Sequence, residues 1–356
     1  MEKELRLMKG NEAIAEAAIR AGADAYFGYP ITPQSEILEY LMEAKPHERT
    51  GMIVLQAESE VAAINMVYGG AGCGKKVMTS SSSPGISLKQ EGLTYLAGSE
   101  LPCLVVNVVR GGPGLGTIQP AQSDYFQATK GGGHGDYKLI VLAPASVQEM
   151  ADFVELGFDL AFKYRNPALI LSDGAIGQMM EKVYLSPQKE RSTDLLPWAT
   201  TGKTADRERN IITSLDLDPV VQEKFNIKLQ AKYREIEKNE VRFERFDCDD
   251  AEYLLVAYGT SARVCQKTVK LARAEGIKVG LLRPITLYPY PYAEVSSLAD
   301  RVKSILAVEM SAGQMVEDVR LGVNGKVPVK HYGRMGGIVP TPEEVLEYLK
   351  KEIIGG

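Results

Sequence analysis

The sequence predicts an α/β protein of two domains, each built on a mainly parallel sheet flanked by helices. Three observations carry this. Helix and strand patterns alternate from the N-terminus to about residue 180. A polar, charged stretch then interrupts them, and a second alternation begins at 251. The length, 356 residues, also exceeds what one ordinary core organises. The expected division is 1–185, a connector with a charged helix at 186–250, and 251–356.

Each element has its own signal. Asn11 suits the cap of a helix NEAIAEAAIRAG that closes at Gly22. YFGYP reads as a short strand entering a turn. Thr32–Pro33 then opens a helix PQSEILEYLMEA, with proline at its first position. MIVLQAE is a strand, followed by a helix from Ser59 that Gly69–Gly70 should end. In that helix Val61, Ile64, Met66 and Val67 fit one stripe. KKVMTSSSS starts as a strand, and ISLKQEGLTYLAG is a helix. CLVVNVVR, an unbroken apolar run, predicts a central buried strand. LIVLAP is another strand, Ser146 and Glu149 form a capping box for a helix ending near Tyr164, and PALILSD closes the layer. The connector contains VQEKFNIKLQAKYREIEKNEVRFERFD, a helix lying across the surface without coiled-coil heptads. In the second unit YLLVAYGTSA, KVGLLRPI, SILAVEM and VPVKHYG mark strands, and VCQKTVKLARAEG a helix. Thr341, Pro342 and Glu344 begin a last helix with both a capping box and a leading proline.

Composition narrows the function. A net charge of −5 gives no electrostatic case for nucleic acid or an anionic membrane. No apolar run is long enough to span a bilayer, and MEKELRLMKGNEA lacks the apolar core of a signal peptide, so a cytoplasmic location is expected. Cys73, Cys103, Cys248 and Cys265 form no C-x-x-C pair, which speaks against an iron–sulfur cluster or structural zinc held by this chain alone.

Four constellations have chemical potential. GYPITPQSE, residues 28–36, puts Thr32 at the carboxyl end of a strand and beside a helix start, where anions bind in open α/β sheets; Thr-Pro is equally an ordinary helix start. QAESE brings Glu58 and Glu60, of which one at most points into a site; both also suit a helix dipole. TSSSSPG, residues 79–85, is a donor-rich loop or simply a turn, and lacks the glycine of a nucleophile elbow. VRGGPGLGT places Arg110 at a strand end before four glycines, suited to a carboxylate and to close backbone approach. His134, in KGGGHGDY, is a proton carrier or merely exposed. GGAGCGKK, residues 69–76, resembles a phosphate loop, but Lys76 replaces the required hydroxyl and the order is helix, turn, strand, the reverse of that motif.

Taken in order, YPITP, an E-x-x-A-x-x-x-x-x-G helix, TSSSSPG and VRGGPG resemble the alpha-type subunit of 2-oxoacid:ferredoxin oxidoreductases. GTSARV near 259 and LRPITLYPYP near 282 resemble the family's second domain, which is similar to the C-terminal domain of transketolase. The resemblance spans nearly the whole chain and is closest to the 3-methyl-2-oxobutanoate (2-ketoisovalerate) subgroup. It implies a thiamine-diphosphate pyrimidine-binding fold followed by a transketolase C-terminal-like domain. It also implies CoA-dependent oxidative decarboxylation of a 2-oxoacid, with electrons passed to ferredoxin. 2-Oxoglutarate or pyruvate as substrate, or a non-catalytic scaffold of the same fold, are the alternatives.

The resemblance further assigns residues. Glu60 matches the acid that hydrogen-bonds the aminopyrimidine ring, because Gly69 follows nine residues later; Glu58 is out of register. Thr32 and Arg110 are implied to hold the substrate carboxylate, and Tyr29 and Pro30 to shape the pyrimidine end. The G-D-G…N-N pattern for Mg²⁺ and diphosphate is missing: the only Gly-Asp is Gly135–Asp136, followed by Tyr137. The resemblance therefore implies a shared cofactor. A beta subunit would bring Mg²⁺, the diphosphate site and an iron–sulfur cluster, and ferredoxin-like gamma or delta subunits would carry further clusters.

Overall fold

In the computed structural model, residues 4–203 and 205–355 are described. The end residues 1–3 and 356 of the expected domains lie outside them. The first unit runs β1 (Glu4–Lys9), α1 (Gly10–Arg20), β2 (Ala25–Gly28), α2 (Ser35–Ala44), α3 (Pro46–Thr50), β3 (Ile53–Gln56), α4 (Glu60–Gly72), β4 (Val77–Ser81), α5 (Pro84–Gly98), β5 (Leu104–Val109), β6 (Ile140–Leu142), α6 (Val147–Tyr164), β7 (Ala168–Asp173), α7 (Gly174–Gln178) and β8 (Met180–Leu185). The remainder is α8 (Pro219–Asn239), β9 (Phe243–Phe246), β10 (Tyr253–Val256), α9 (Gly259–Ala274), β11 (Val279–Pro284), β12 (Thr286–Tyr288), α10 (Tyr292–Ala299), β13 (Ser304–Glu309), α11 (Met315–Val323), β14 (Val329–Gly333) and α12 (Pro342–Tyr348).

The apolar runs become the middle of two α/β layers, as expected. A seven-stranded sheet has the order β12-β6-β7-β5-β4-β2-β3 and is parallel except for β12. Its centre is β5, every residue of which is buried. A five-stranded sheet, β14-β13-β10-β11-β9, is parallel except for β9. Two strands cross the expected boundaries: β9, from the connector, edges the second sheet, and β12, from the C-terminal unit, pairs with β6 of the first. One apolar cluster accordingly runs from Ile14 and Leu104 through to Leu254 and Ile305. A third sheet, the antiparallel pair β1–β8, has no counterpart in the sequence expectation.

Several local expectations shift for physical reasons. Asn11 does not cap α1. It lies inside the helix, buried, and donates to the Pro33 carbonyl (2.7 Å) and Glu36 Oε2 (3.0 Å), while Lys9 takes the cap position. Pro33 does not open α2. The Thr32–Pro33 bond is cis, a turn closes from Gln34 N–H to the Ile31 carbonyl, and the helix starts at Ser35. Gly69 and Gly70 do not end α4, which continues to Gly72 and is followed by Gly74 at φ +75°. Gly70 is instead a packing glycine: a Cβ there would lie 2.7 Å from Val77 Cγ1. The buried stripe of α4 is Ala63, Ile64, Val67 and Ala71, whereas Val61 (44% exposed) and Met66 (37%) face outward. In α6, Ser146 caps Glu149 N–H as expected, but the Glu149 carboxylate bonds Ala145 N–H rather than closing the box on Ser146. The capping box and leading proline of α12 are present as expected.

Candidate functional site

The four constellations converge. Strands β5, β4, β2 and β3 are consecutive neighbours, and their carboxyl ends lead into Arg110, Ser82–Ser83, Tyr29–Thr32 and Glu58–Glu60 respectively. Parallel strands with helices returning behind them leave this edge as the place where a ligand meets helix N-termini and loop backbone. The helix-turn-strand order over residues 60–81 excludes the phosphate-loop geometry.

Glu60 is the first residue of α4, with Ser59 as cap accepting from Ala62 N–H. It is buried, at 6% exposure, while Glu58 is exposed. Among the described residues its carboxylate accepts no hydrogen bond. Opposite it stands Gly85, in the first turn of α5. A Cβ there would lie 2.7 Å from Glu60 Oε1 and 2.1 Å from Ser81 Oγ, itself a buried hydroxyl without a partner. The Glu60 carboxylate and the Ser81 hydroxyl thus pack so closely on Gly85 that only glycine fits at position 85 without displacing them. An unpaired buried hydroxyl carries a free-energy penalty unless something satisfies it, so the Ser81 hydroxyl beside Glu60 suits a polar ligand atom.

TSSSSPG divides between strand, turn and helix. Thr79, Ser80 and Ser81 belong to β4, and only Ser82 and Ser83 form the connection to α5. Its donors divide between two halves of the site. On one side, Ser80 shares hydrogen bonds with Tyr26 OH (2.7 Å) and Gln34 Oε1, and Gln34 Nε2 donates to the Tyr29 carbonyl (3.0 Å), which fixes the YPITP turn from below. On the other side, Ser83 accepts from Arg110 N–H (3.1 Å) and donates to Asp124 Oδ2 (2.7 Å), which also accepts from Asn107 Nδ2 (2.9 Å). Burial pushes the Asp124 carboxyl above its ordinary range, against the pull of Asn107 and Ser83.

Arg110 and Thr32 are brought together, though through the backbone of Thr32 rather than its hydroxyl. The buried guanidinium donates from Nη1 to the Thr32 carbonyl (3.0 Å) and from Nη2 to the Leu115 carbonyl (3.1 Å). It thereby joins the YPITP turn to the glycine loop, which folds back by Thr117 N–H to the Gly111 carbonyl. A guanidinium has five N–H groups, so three remain, and Nε–H is buried without a partner. Thr32 and Pro30 are exposed and Tyr29 is half-buried, placing all three on the rim. His134 stands edge-on to Tyr95 of α5, ring centroids 6.4 Å apart.

Lys89, Gln34, Asn107 and Asp124 were not anticipated. Lys89 is fully buried, its Nζ 3.1 Å from Thr79 Oγ1 and 3.5 Å from the Glu60 carbonyl. Burial draws its ammonium down to about 8, and the Glu60 carboxylate acts in the opposite direction. The signals were faint: a lysine spaced four from Gly85 and three from Gly92, and an asparagine inside the apolar run of β5.

Comparison with known proteins follows the same outline. A family profile described as pyruvate flavodoxin/ferredoxin oxidoreductase, thiamine diphosphate-binding, matches residues 16–244, and a second, pyruvate:ferredoxin oxidoreductase core domain II, matches 251–345. The chain is 51% identical over 346 residues to ketoisovalerate oxidoreductase subunit VorB of Methanothermobacter thermautotrophicus, covering 97% of each. The solved structure of 2-oxoglutarate:ferredoxin oxidoreductase from Magnetococcus marinus, with 2-oxoglutarate, coenzyme A and succinyl-CoA bound, superposes with a TM-score of 0.87 at 29% identity. That match covers 99% of this chain and 66% of the longer polypeptide. A split-gene transketolase shares the fold, at a TM-score of 0.60 and 13% identity over 98% of both chains.

Proposed function

Since the chain belongs to the pyruvate flavodoxin/ferredoxin oxidoreductase family and contains its thiamine diphosphate-binding domain, we propose that it is the pyrimidine-binding half of a 2-oxoacid:ferredoxin oxidoreductase. The substrate proposed is 3-methyl-2-oxobutanoate, converted with coenzyme A to the acyl-CoA while ferredoxin takes the electrons. One observation carries the reading: a buried glutamate, its carboxylate packed closely against Gly85 of the neighbouring helix, at the strand ends that also hold Arg110 and the Thr32 turn.

Thiamine diphosphate, when bound, supplies the nucleophilic carbon and the electron sink for decarboxylation. The residues of this chain bind, orient and move a proton around it. Glu60 is proposed to hold a pyrimidine ring nitrogen and to exchange a proton with it. Tyr29 and Pro30 wall that end. Arg110, with three N–H groups left over, is proposed to pair the 2-oxoacid carboxylate beside the Thr32 hydroxyl.

Half a site needs its complement, and the outer faces of the elements that carry Glu60 and Gly85 look made for contact. Ile53 and Leu55 on the edge strand β3, Val61 and Met66 on α4, and Leu88 and Tyr95 on α5 are all exposed. Gly69 lies on the same face of α4 as Val61, and a Cβ there would meet nothing within 4 Å. A beta subunit is proposed to cover this surface and to bring Mg²⁺, the diphosphate site and an iron–sulfur cluster, with ferredoxin-like gamma or delta subunits beyond it. The location proposed is cytoplasmic; no helix among the described residues is long and apolar enough to cross a membrane.

The test is Glu60→Gln in the reconstituted complex. The carboxamide keeps the shape and loses the proton chemistry, so turnover should fall by about 10²–10⁴-fold with thiamine diphosphate still bound. Near-normal turnover would overturn the assignment and favour a scaffold subunit. Comparing kcat/KM for 3-methyl-2-oxobutanoate, 2-oxoglutarate and pyruvate decides the substrate.

A further inference from the structure

Gly85, Lys89 and Gly92 occupy positions i, i+4 and i+7 of α5, one face of the helix, and that face packs on α4. The glycines strip the side chains where the helices touch. A Cβ on Gly85 would collide with Glu60, and one on Gly92 would lie 2.6 Å from Ile64 Cγ2. Lys89 lies between them in the seam. A lysine so placed normally pairs with a carboxylate or extends its ammonium to water. Lys89 does neither: it has no solvent exposure, and among the described residues its Nζ bonds the Thr79 hydroxyl and the Glu60 backbone carbonyl, with no carboxylate in ion-pair contact. An ammonium buried without a paired carboxylate destabilises a fold, and an apolar residue of similar volume would be the more stable choice.

We propose that Lys89 is a positioning residue for Glu60: its ammonium ties the Glu60 carbonyl, in the first turn of α4, to Thr79 of β4 and brings a titratable positive charge close to Glu60. The inference rests on Glu60 being the acid that faces the cofactor's pyrimidine. Among the described residues, Glu60 on α4 is the titratable side chain whose charge acts on Lys89, and β4 contributes the Thr79 hydroxyl.

Two measurements test it. In the full chain with ¹³Cε-labelled lysine, the Lys89 resonance is assigned by its loss in Lys89→Met. Its titration midpoint should move to lower pH in Glu60→Gln, by about half a unit or more, because the opposing charge is gone. An unmoved midpoint overturns the coupling. In the reconstituted complex, Lys89→Met should lower turnover by at least ~10-fold while the melting temperature of the chain stays level or rises. Unchanged turnover overturns the proposal, and so does a parallel fall in turnover and melting temperature, which marks a structural strut. Failure of the cofactor reading is distinguishable, because the wild-type complex would then bind no thiamine diphosphate.

Discussion

At the scale of single residues, Arg110 shows how one side chain assembles a site before any ligand arrives. Two of its N–H groups hold carbonyls from two different loops, and its Nε–H is buried without a partner. Lysine at this position has the charge but not the planar fork, and cannot bridge Thr32 and Leu115 while also pairing a carboxylate. Arg110→Lys should therefore raise KM for the 2-oxoacid by roughly tenfold or more, with a smaller change in kcat, as steady-state kinetics on the complex will read. That Arg110, Thr32 and Glu60 follow strand ends was legible in the sequence, because each sits inside a short, unusual run after an apolar strand pattern. Lys89, Gln34 and Asp124 were not, because what makes them matter is a partner on another element. Gln34 gains its role from Ser80, forty-six positions away, and Asp124 from Ser83, forty-one away.

At the scale of elements, the joint between α1 and the segment α2–α3 is electrostatic. Glu16 of α1 is fully buried. Burial alone would raise its carboxyl, but hydrogen bonds from Arg49 and Arg20, with their charges, outweigh this and hold it down at about 2. The folded value lies below the ordinary glutamate value of 4.5, so the stabilisation is present in full above that value and is lost as pH falls from about 5 towards 2. Glu16→Gln should destabilise the chain at pH 7 by on the order of 2–3 kcal/mol, since two arginines lose a buried carboxylate and keep their other partners, among them Glu4 for Arg20 and Gln188 for Arg49. It should also flatten the slope of stability against pH across that acid window, as denaturant unfolding at a series of pH values will show. Elements with long apolar runs, such as β5 and β7, or with full capping signals, such as α12, were readable directly. The pair β1–β8 was not. In β1, Leu5 and Leu7 point outward and Met8 inward, so the apolar pattern says nothing about which face is buried. The end of α4 misled for a related reason: Gly70 resembles a helix stop, yet its bare Cα serves the contact with Val77.

At the scale of the whole molecule, the apolar face on β3, α4 and α5 is the feature that a solitary chain does not explain. If it seats the second subunit, a charge there should block assembly without harming the fold. Val61→Asp with Met66→Asp is expected to leave the melting temperature of the chain within a few degrees of the original while abolishing co-elution with the partner on size exclusion. Retained co-elution would move the interface elsewhere. The two-layer architecture was legible from the sequence because parallel strands and their covering helices alternate so regularly. The way the layers interlock was not, because it depends on two short strands: β9, from the connector, which edges the second sheet, and β12, from the C-terminal unit, which edges the first.

The position of β12 has a consequence for how the protein comes into being. During synthesis, β6 emerges long before Tyr288, and until then its outer backbone groups face water or whatever else is near. The N-terminal half released alone, or a nascent chain stalled within the connector, would carry a raw sheet margin prone to self-association. The gene therefore does not divide into two interchangeable modules at the charged helix: the later half supplies the hem of the earlier one, and only the finished polypeptide is sealed.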